Sequence, residues 1–428
     1  MISKIDSDPQ IKVAIVGAGL GGLAAAIAIA REGHSVTVLE QAATLQEVGL
    51  SFFLVGAGIQ IPPNSSKILA RWGLLDQIES VAVKPNDFRL RSYRTGAILS
   101  TQNMIPHAKA TYGAPYLHIH RADYHAVLVR EAIRLNVEII LKARAIGIDF
   151  ERPAIYLDDQ PPFEADLIVG ADGLKSRCRE TMLGRKDPPY LTGDLAYRII
   201  LRTEDMKRLP ELHDLIERPN IDYWMGPGCH AVSYMLQGGQ AYNVVLICPD
   251  DMPGEMHTLD ADVEEMRLLF KDWDLRLRAM LDLVVETKKW RLMDSREMPT
   301  WTHPSGRFVL MGDACHATLP YLAQGAAQAI EDGAALGAIL GNVSRISEIP
   351  DALERFQMLR KPRTERVVKE SRALQDIFHL PDGESQLARD ICLTKKEPFE
   401  GYPNRWADPV FQQYLFGYDA YVEALSCA

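Results

Sequence analysis

The chain has 428 residues, of which 47% are hydrophobic and 24% are charged, and its formal net charge is −10. Such a length and composition are typical of a globular protein with more than one domain. The acidic balance argues against nucleic acid or an anionic membrane surface as the main partner, and no apolar run reaches the roughly 18 residues of a membrane span.

The N-terminus and the cysteines bear on the compartment. The first eight residues carry acidic side chains where a secretory signal is basic and then apolar. The six cysteines are scattered along the chain, and none forms a C-x-x-C pair. A disulfide framework or a metal site therefore has little support, and we predict a cytoplasmic protein without a bound metal.

The segment from Ile11 to Glu40 reads as a strand, a glycine-rich turn, a helix and a second strand that ends in an acid. In the turn, G-A-G-L-G-G, Gly17 permits a tight bend, Gly19 lets the backbone approach a pyrophosphate and Gly22 lets the helix pack closely. The helix N-terminus offers N–H groups to an anion. Glu40 lies about 20 residues further on, where an acid accepts hydrogen bonds from a ribose. The segment predicts a dinucleotide-binding βαβ unit.

Two later segments repeat the pattern of a buried strand followed by an acidic loop. One strand, residues 165–170, leads into Asp172 and Gly173, and another leads into Asp313. Ligands of open parallel sheets bind at the carboxyl ends of the strands, so we expect all three loops to face one crevice. There Asp313 can bond sugar hydroxyls, and the helix that begins near Gly325 can stabilise negative charge on a bound ring.

The middle of the chain, residues 186–297, has a different pattern. Four short segments rich in β-branched and aromatic residues are separated by glycine and proline turns. We predict an antiparallel sheet that covers the crevice and walls a substrate pocket. Because side chains alternate along a strand, His230, Val232 and Tyr234 share one face.

These motifs together resemble the class A flavin-dependent aromatic hydroxylases. The nearest resemblance is to the salicylate hydroxylase-like branch, which includes fungal monooxygenases of aromatic polyketides. It extends from about residue 11 to residue 380, and five sequence features carry it: the glycine turn with Glu40, A-D-G at 171–173, G-D-A at 312–314, G-A-G-I-Q-I-P-P-N at 56–64 and H-R-A-D-Y-H at 120–125.

The resemblance implies an α/β fold in which a Rossmann-like FAD-binding domain is interleaved with an antiparallel β-sheet substrate domain. We expect the FAD-binding domain over residues 9–185 and 298–380, the substrate domain over 186–297, and a helical and irregular tail over 381–428. The chain has no second strand–glycine turn–helix unit. NAD(P)H is therefore expected as a transient co-substrate, as in the family.

The family's FAD contacts carry over position by position. The resemblance implies that the three glycines of the first motif hold the pyrophosphate and Glu40 the adenosine ribose. Arg121 is expected at the ribityl–phosphate region and Asp313 at the ribityl chain. Asp172 and Gly173 are expected to serve both FAD and the pyridine nucleotide.

The flavin ring itself has a separate set of expected contacts. The resemblance implies that Ala57 and Gly58 approach the flavin. Pro320, Gly325 and Ala326 are expected to line the isoalloxazine ring. All five positions match the family's motifs by sequence alone.

The family's chemistry indicates what the substrate pocket needs. Reduced flavin and O₂ form a C4a-hydroperoxide with an electrophilic distal oxygen, and a phenol reacts with it when held as phenolate. A cation and a phenolic donor suit that task. Arg198 and Tyr234 match a catalytic arginine and tyrosine of fungal relatives. Taken without the resemblance, they also fit a sheet-edge cation and a half-buried strand aromatic.

We therefore predict an FAD-dependent, NAD(P)H-using monooxygenase that hydroxylates a small phenolic or aromatic-acid substrate with O₂, in secondary metabolism. Decarboxylation and dearomatisation stay open as outcomes, and the protein is expected to be a monomer or homodimer. The alternatives are a flavin epoxidase or Baeyer–Villiger enzyme on a non-phenolic substrate, and a non-catalytic FAD-fold binding protein.

Two further features carry expectations about side chains. The stretch from Leu353 to Arg363 is basic and amphipathic, and we expect its cations to face solvent. His120 and His230 can relay protons, although a structural role is the expected one.

Residues 49–55, G-L-S-F-F-L-V, directly precede the fourth motif and give the chain two Val-Gly pairs, at 48–49 and 55–56. Their excision would restore the family's E-V-G-A-G. A gene-model artefact, a tolerated bulge and an altered pocket lid all remain open. If the segment is an intruder, deleting it should raise the flavin content.

Overall fold

The structure is a computed structural model that describes residues 11–45, 58–105 and 107–426. The segment 49–55 and Ala57 lie outside these residues. None of the helices in the described ranges combines the length and apolar character that crossing a bilayer requires. The five cysteines in those ranges are free thiols.

The strands of the described residues are β1 (Lys12–Val16), β2 (Ser35–Leu39), β3 (Gly58–Ile61), β4 (Asp87–Ser92), β5 (Ile98–Asn103), β6 (Leu117–His120), β7 (Glu138–Ile140), β8 (Ala145–Asp149), β9 (Ala154–Leu157), β10 (Gln160–Glu164), β11 (Leu167–Gly170), β12 (Tyr190–Arg202), β13 (Ile221–Gly226), β14 (Cys229–Leu236), β15 (Ala241–Pro249), β16 (Thr258–Asp260), β17 (Lys288–Asp294) and β18 (Phe308–Leu310).

The α-helices are α1 (Leu20–Arg31), α2 (Pro63–Arg71), α3 (Leu75–Glu79), α4 (His107–Tyr112), α5 (Arg121–Arg134), α6 (Arg177–Leu183), α7 (Thr203–Met206), α8 (His213–Ile216), α9 (Val263–Leu269), α10 (Leu275–Asp282), α11 (Asp313–His316), α12 (Gly325–Leu340), α13 (Ile349–Phe378), α14 (Glu384–Leu393), α15 (Pro409–Phe416) and α16 (Ala420–Ser426). Short 3₁₀ turns span Pro210–Leu212, Gln237–Gly239, Pro320–Leu322 and Ile346–Glu348.

A five-stranded parallel sheet in the order β18-β11-β1-β2-β7 forms the first layer. Its register aligns the last residues of the strands, since Val16 lies opposite both Gly170 and Leu39, and Gly170 opposite Leu310. The loops that follow β1, β11 and β18 therefore leave the same edge of the sheet. This confirms the predicted α/β fold and the predicted meeting of the three motifs.

Helix α1 packs closely on α12, the helix that follows the third motif. A Cβ built on Gly333 would lie 2.7 Å from the backbone of Ala24, and one built on Gly337 would lie 2.5 Å from Ala28 Cβ. Small residues on both helices permit this approach. The helix that begins at the first motif and the helix that follows the third are thereby held together.

The second layer is an eight-stranded sheet in the order β16-β17-β12-β15-β14-β13-β4-β5. Its pairs are antiparallel except β13 with β4. Strands β4 and β5 precede β11 in the chain, so the two sheets are interleaved as predicted. Val232 and Tyr234 pack on one face with Leu319 and Leu322, and Ala231 packs on the other face, as the alternation predicts.

The last part of the chain docks on this second sheet. Trp406 stacks on Phe88 of β4 with ring centroids 4.2 Å apart, and Tyr402, Phe411 and Phe416 are buried in the same cluster. The segment boundaries given above for the domains remain predictions.

Candidate active site

The glycine loop between β1 and α1 forms a tight backbone cradle. Gly17 has φ +104°, and a Cβ built on it would lie 2.6 Å from Ala171 O. A Cβ on Gly22 would lie only 2.0 Å from Gly17 O, whereas one on Gly19 would meet no atom within 4 Å. Gly17 and Gly22 are thus required by packing, while the space at Gly19 is open to a ligand.

Glu40, at the end of β2, holds this loop in place. Its Oε2 accepts a hydrogen bond from Ala18 N at 2.8 Å, and its Oε1 accepts one from Ala42 N at 2.8 Å. His125 on α5 contacts the carbonyl of Ala18 through Nε2 at 2.7 Å. Each carboxylate oxygen of Glu40 keeps a further lone pair for a ribose hydroxyl. Sequence reasoning missed the role of His125, although the H-R-A-D-Y-H motif contains it.

Asp172 uses its carboxylate to organise the start of α6. Its oxygens accept hydrogen bonds from Ser176 Oγ at 2.5 Å, Arg177 N at 2.7 Å and Cys178 N at 3.0 Å. Gly173 follows with φ +79°, a conformation that glycine adopts without strain. The carboxylate of Asp172 therefore shapes the second motif by accepting hydrogen bonds from backbone N–H groups at the start of α6.

A cavity of about 240 Å³ joins the first two motifs. Gly17, Gly19, Glu40, Asp172 and Gly173 all line it, so five of the predicted FAD contacts meet there. The cations Lys175 and Arg177 lie on its wall. Open backbone at Gly19, a ribose acceptor and nearby cations fit the sugar and phosphate groups of FAD.

A buried carboxylate on α12, that of Asp332, fixes the turn of the third motif. Asp332 Oδ2 accepts hydrogen bonds from Gly312 N at 2.9 Å and contacts His316 Nε2 at 2.6 Å, while Oδ1 accepts from Arg360 Nε at 2.8 Å. Burial alone would raise the pKa of Asp332, but His316 and Arg360 hold it at about 2. The turn that carries Asp313 is thereby fixed to α12 and α13.

The neighbouring Glu331 completes this buried ionic network. It accepts hydrogen bonds from Arg360 Nη1 at 2.7 Å, Arg363 Nε at 2.7 Å and Asn64 Nδ2 at 2.6 Å. The side chains of Arg360 and Arg363 are 0% and 5% exposed. The expectation that the cations of this stretch face solvent is wrong for both, because the acids of α12 provide buried partners.

Arg121 interacts electrostatically with both Asp313 and Arg198. Burial lowers the pKa of Arg121, and Asp313 opposes this effect. Burial and the charge of Arg121 together lower the pKa of Arg198. Burial raises the pKa of Asp313, whereas His316 and Arg121 lower it. Arg198 and Asp313 are nevertheless both exposed to solvent.

The sheet register brings Arg198 and Tyr234 to the same face. Arg198, Val245 and Val232 form one row across β12, β15 and β14, and directly opposed residues share a face. Burial raises the pKa of Tyr234, and Arg198 acts in the opposite direction. Tyr234 is thus a neutral phenolic donor beside a cation.

Gly58 and the turn before α12 approach this face of the sheet. Gly58 N donates a hydrogen bond to Asn243 Oδ1 on β15 at 3.1 Å, and the turn Pro320–Leu322 packs Tyr321 and Leu322 into the cluster that contains Tyr234. Pro320 is exposed, Gly325 begins α12 and Ala326 is half-buried. Asn243 was missed from sequence, since nothing local marks its pairing with a glycine 185 residues away.

Comparison with known proteins agrees with this geometry. A family model described as FAD binding domain matches residues 10–371. The chain is 42% identical to the FAD-dependent monooxygenase OpS4 of Beauveria bassiana over 96% of this chain and 95% of the relative. It is 32% identical to the 3-hydroxybenzoate 6-hydroxylase of Polaromonas naphthalenivorans over 97% and 98% of the two chains.

Among solved structures, a salicylate hydroxylase substrate complex superposes with a TM-score of 0.80 at 23% identity and covers 99% of each chain. This likeness shows the fold, and the family and cofactor that the motifs predict are confirmed by the matches at sequence level. The chain therefore belongs to the FAD binding domain family and is an FAD-dependent monooxygenase.

Proposed function

We propose that this monooxygenase hydroxylates a small phenolic or aromatic-acid substrate, with NAD(P)H as transient reductant and O₂ as oxidant. The observation that carries the proposal is the placement of a cation, Arg198, and a neutral phenol, Tyr234, on one sheet face beside the predicted flavin contacts. The hydroxybenzoate hydroxylase among the relatives supports an aromatic acid.

The residues of the first three motifs would hold FAD. The sugar and phosphate groups would occupy the cavity between Gly19 and Glu40, and Arg121 with Asp313 would lie along the ribityl chain. When bound and reduced by NAD(P)H, FAD supplies the chemistry that activates O₂.

The pocket residues would activate the substrate. A positive side chain beside a bound phenol favours its ionised form, so Arg198 lowers the pKa of the substrate oxygen. Tyr234 keeps its own proton because burial raises its pKa, and it therefore donates a hydrogen bond to that oxygen. Together they would hold an anionic oxygen and make the ring electron-rich.

Substrate-stimulated oxidation of NADH and NADPH tests this proposal. Purified protein reconstituted with FAD would be offered salicylate, meta-hydroxybenzoate, para-hydroxybenzoate and larger phenols, and product mass would be read for gain of oxygen or loss of CO₂. We expect at least one phenol to be converted. Conversion of alkenes or ketones but of no phenol would instead support the epoxidase or Baeyer–Villiger alternative.

A matched pair of variants on β12 tests the assigned cation. Arg198→Ala should retain FAD but lose product formation by about 100-fold or more, since it removes a preorganised charge from the reacting centre. Arg202→Ala, at an exposed position that pairs with Asp205, should behave as the unmodified protein. Equal turnover by the two variants would remove Arg198 from the mechanism.

The state of assembly and the compartment are further parts of the proposal. We expect a monomer or homodimer in the cytoplasm. Light scattering of the FAD-loaded protein measures its state of assembly.

A further inference from the structure

The eight-stranded sheet ends on one side at β5, whose outer edge is unpaired in the described residues. β5 is the last strand in the order and has only β4 beside it. In the part of the chain that the structure describes, no backbone hydrogen bond of residues 98–103 leaves the pair with β4. The free edge of a strand presents N–H and C=O groups that can pair with a further strand.

The two ends of this sheet differ in the protection that edge strands usually carry. At the opposite end, β16 has three residues, and its Asp260 pairs with Lys288. β5 has six residues, I-L-S-T-Q-N, without a charge or a proline. The pairing with β4 skips Leu99, which affects only the beginning of the strand. Short length, charges and prolines are the usual means of preventing further pairing, so β5 is open to it from Ser100 onward.

A groove of about 360 Å³ follows this edge. Five consecutive residues of β5, Ile98–Gln102, form one side of it. Since consecutive side chains of a strand point to opposite faces, a groove that touches all five runs along the edge of the sheet and not over one face. The other side of the groove is formed by residues from the stretch 393–402, which we call the wall segment.

The wall segment is fixed to one face of the sheet at both of its ends. Leu393 and Tyr402 are each 1% exposed, and they belong to the cluster that contains Phe88 and Leu90. Tyr402 Oη donates a hydrogen bond to Leu393 O at 2.6 Å. The residues between the two ends therefore form a loop that is anchored on this face beside the free edge.

Between its ends the wall segment exposes both signs of charge, in the order K-K-E-P-F-E at 395–400. Lys395, Lys396, Glu397 and Glu400 are exposed, and none of them has an ion-pair partner among the residues that the structure describes. Lys395 Nζ lies over the ring of Phe399, 5.3 Å from its centroid, and Phe399 is itself 42% exposed. The loop thus presents unpaired charges around an exposed aromatic ring.

Exposed apolar side chains extend this surface onto α14, which packs against β5. Leu387 and Ile391 lie one helical turn apart and are 56% and 67% exposed, and Ile98 of β5 is 48% exposed. A stable dimer buries about 800 Å² of each partner. The edge of a six-residue strand is about 20 Å long and supplies only part of this area, so the neighbouring apolar side chains have to supply more.

A second copy of this chain is complementary to the surface described above. A two-fold axis perpendicular to the sheet places β5 antiparallel to its own copy. The two wall segments then lie on the same face and run in opposite directions, so that the lysines of one approach the acids of the other. Along the strands no like charges oppose each other, because β5 is uncharged.

An acidic peptide from a different protein fits the surface less well. It would pair with Lys395 and Lys396 but would leave Glu397 and Glu400 of the same loop without partners. Only an occupant that carries both signs of charge satisfies all four side chains, and the wall segment of a second copy does so by symmetry.

We propose that the free edge of β5 and the wall segment form the interface of a homodimer, in which β5 pairs antiparallel with β5 of a second copy and the two wall segments form reciprocal ion pairs. The inference rests on the state of assembly given with the proposed function and narrows it to a homodimer. It does not depend on the substrate.

A pair of charge-reversed variants tests the reciprocal ion pairs. The first variant carries Lys395→Glu and Lys396→Glu, which make the loop wholly acidic, and the second carries Glu397→Lys and Glu400→Lys, which make it wholly basic. Sedimentation velocity of the FAD-loaded protein in the micromolar range should show a dimer for the unmodified chain. Each variant alone should dimerise at least about tenfold more weakly, since like charges then face each other.

Mixing the two variants is the decisive step. An acidic loop opposite a basic loop restores attraction at both ends of the two-fold contact, so the mixture should form dimers where each variant alone is monomeric. The matched control carries Lys271→Glu and Arg278→Glu, which reverse two exposed cations on the α9–α10 surface. It changes the net charge as the first variant does and should remain dimeric.

The strand edge has a test of its own. Thr101 is an exposed, uncharged residue of β5, and Thr101→Lys places two lysines near the two-fold axis. The variant should sediment as a monomer that retains its FAD, because the edge is distant in the sheet order from β12 and β14. Retained flavin absorbance shows that a monomeric variant is folded.

The outcomes distinguish this inference from the proposed reaction. A monomeric unmodified protein, charge-reversed variants that dimerise as well as the unmodified chain, or a mixture that stays monomeric would each overturn the interface. The hydroxylation of a phenolic substrate would stand in all three cases, since it is measured separately by substrate-stimulated oxidation of NAD(P)H.

Discussion

A Cβ built on Gly58 would lie 2.6 Å from Cε2 and 2.7 Å from Oη of Tyr234, so the phenol ring packs directly on this glycine. The backbone of Gly58 cannot withdraw freely, because its N–H donates to Asn243. The Tyr234 ring also contacts the ring of His118, with centroids 4.3 Å apart. Gly58, a predicted flavin contact, and Tyr234, a predicted catalytic residue, therefore pack directly against each other.

Gly58→Ala should displace Tyr234 while leaving FAD bound. Overpacking at a buried contact costs about 1–3 kcal/mol, and the hydroxyl would move from its position beside Arg198. We expect product formation to fall about tenfold or more, with uncoupled NAD(P)H oxidation rising. In a Tyr234→Ala background the same glycine substitution should have little further effect, since the pair is coupled. Additive losses in the double variant would contradict the contact.

Gly19→Ala and Gly22→Ala should fail in different ways. A methyl group on Gly22 would collide with Gly17 O, so we expect lower thermal stability together with FAD loss. A methyl group on Gly19 meets no protein atom within 4 Å, so the fold should persist while affinity for FAD falls. Thermal unfolding of the apoprotein and flavin titration separate the two. Equal apoprotein stability of both variants would contradict the packing role of Gly22.

Arg360→Met should be strongly destabilising although it introduces an apolar residue at a buried position. It removes one partner of Asp332 and one partner of Glu331, and all three side chains are 0% exposed. Breaking such a pair costs about 3–5 kcal/mol because the remaining charges stay buried. Arg345→Ala, which breaks an exposed pair with Glu348, should cost at most about 1 kcal/mol. Urea unfolding of both variants measures the contrast.

The same network makes stability depend on pH in the acid range. The pKa of Asp332 in the folded protein is about 2, below its unfolded value of about 3.9, and the pKa of Glu331 is also lowered. A depressed pKa contributes stability above the unfolded pKa, and that stability is lost as pH falls through the folded pKa. The free energy of unfolding should therefore decrease as pH falls from about 4 toward 2.

Asp332→Asn removes the titrating group and is the test of that assignment. The variant should be less stable than the unmodified protein near neutral pH, and the difference should narrow as the pH approaches 2. A difference that stays constant across this range would assign the acid sensitivity to other carboxylates.

Local sequence was sufficient for the parts of the molecule that depend on neighbours in the chain. Strand β2 ends at Leu39, directly before the acid Glu40, as predicted, and the steric need for Gly17 and Gly22 follows from one turn. Apolar alternation likewise predicted which residues of β14 share a face, because side-chain direction in a strand has a period of two.

Tertiary structure alone decided how distant residues are paired. Arg363, expected to face solvent, is buried against Glu331, because the packing of α13 on α12 determines which side of a basic helix meets acids. The contacts of Gly58 with Asn243 and of His230 with His379 join residues 185 and 149 positions apart. The sequence by itself determined the βαβ unit, the cofactor and the candidate Arg198 and Tyr234. Only the register and packing of the two sheets decided which side chains contact these residues. Such contacts depend on layers that are built from distant parts of the chain.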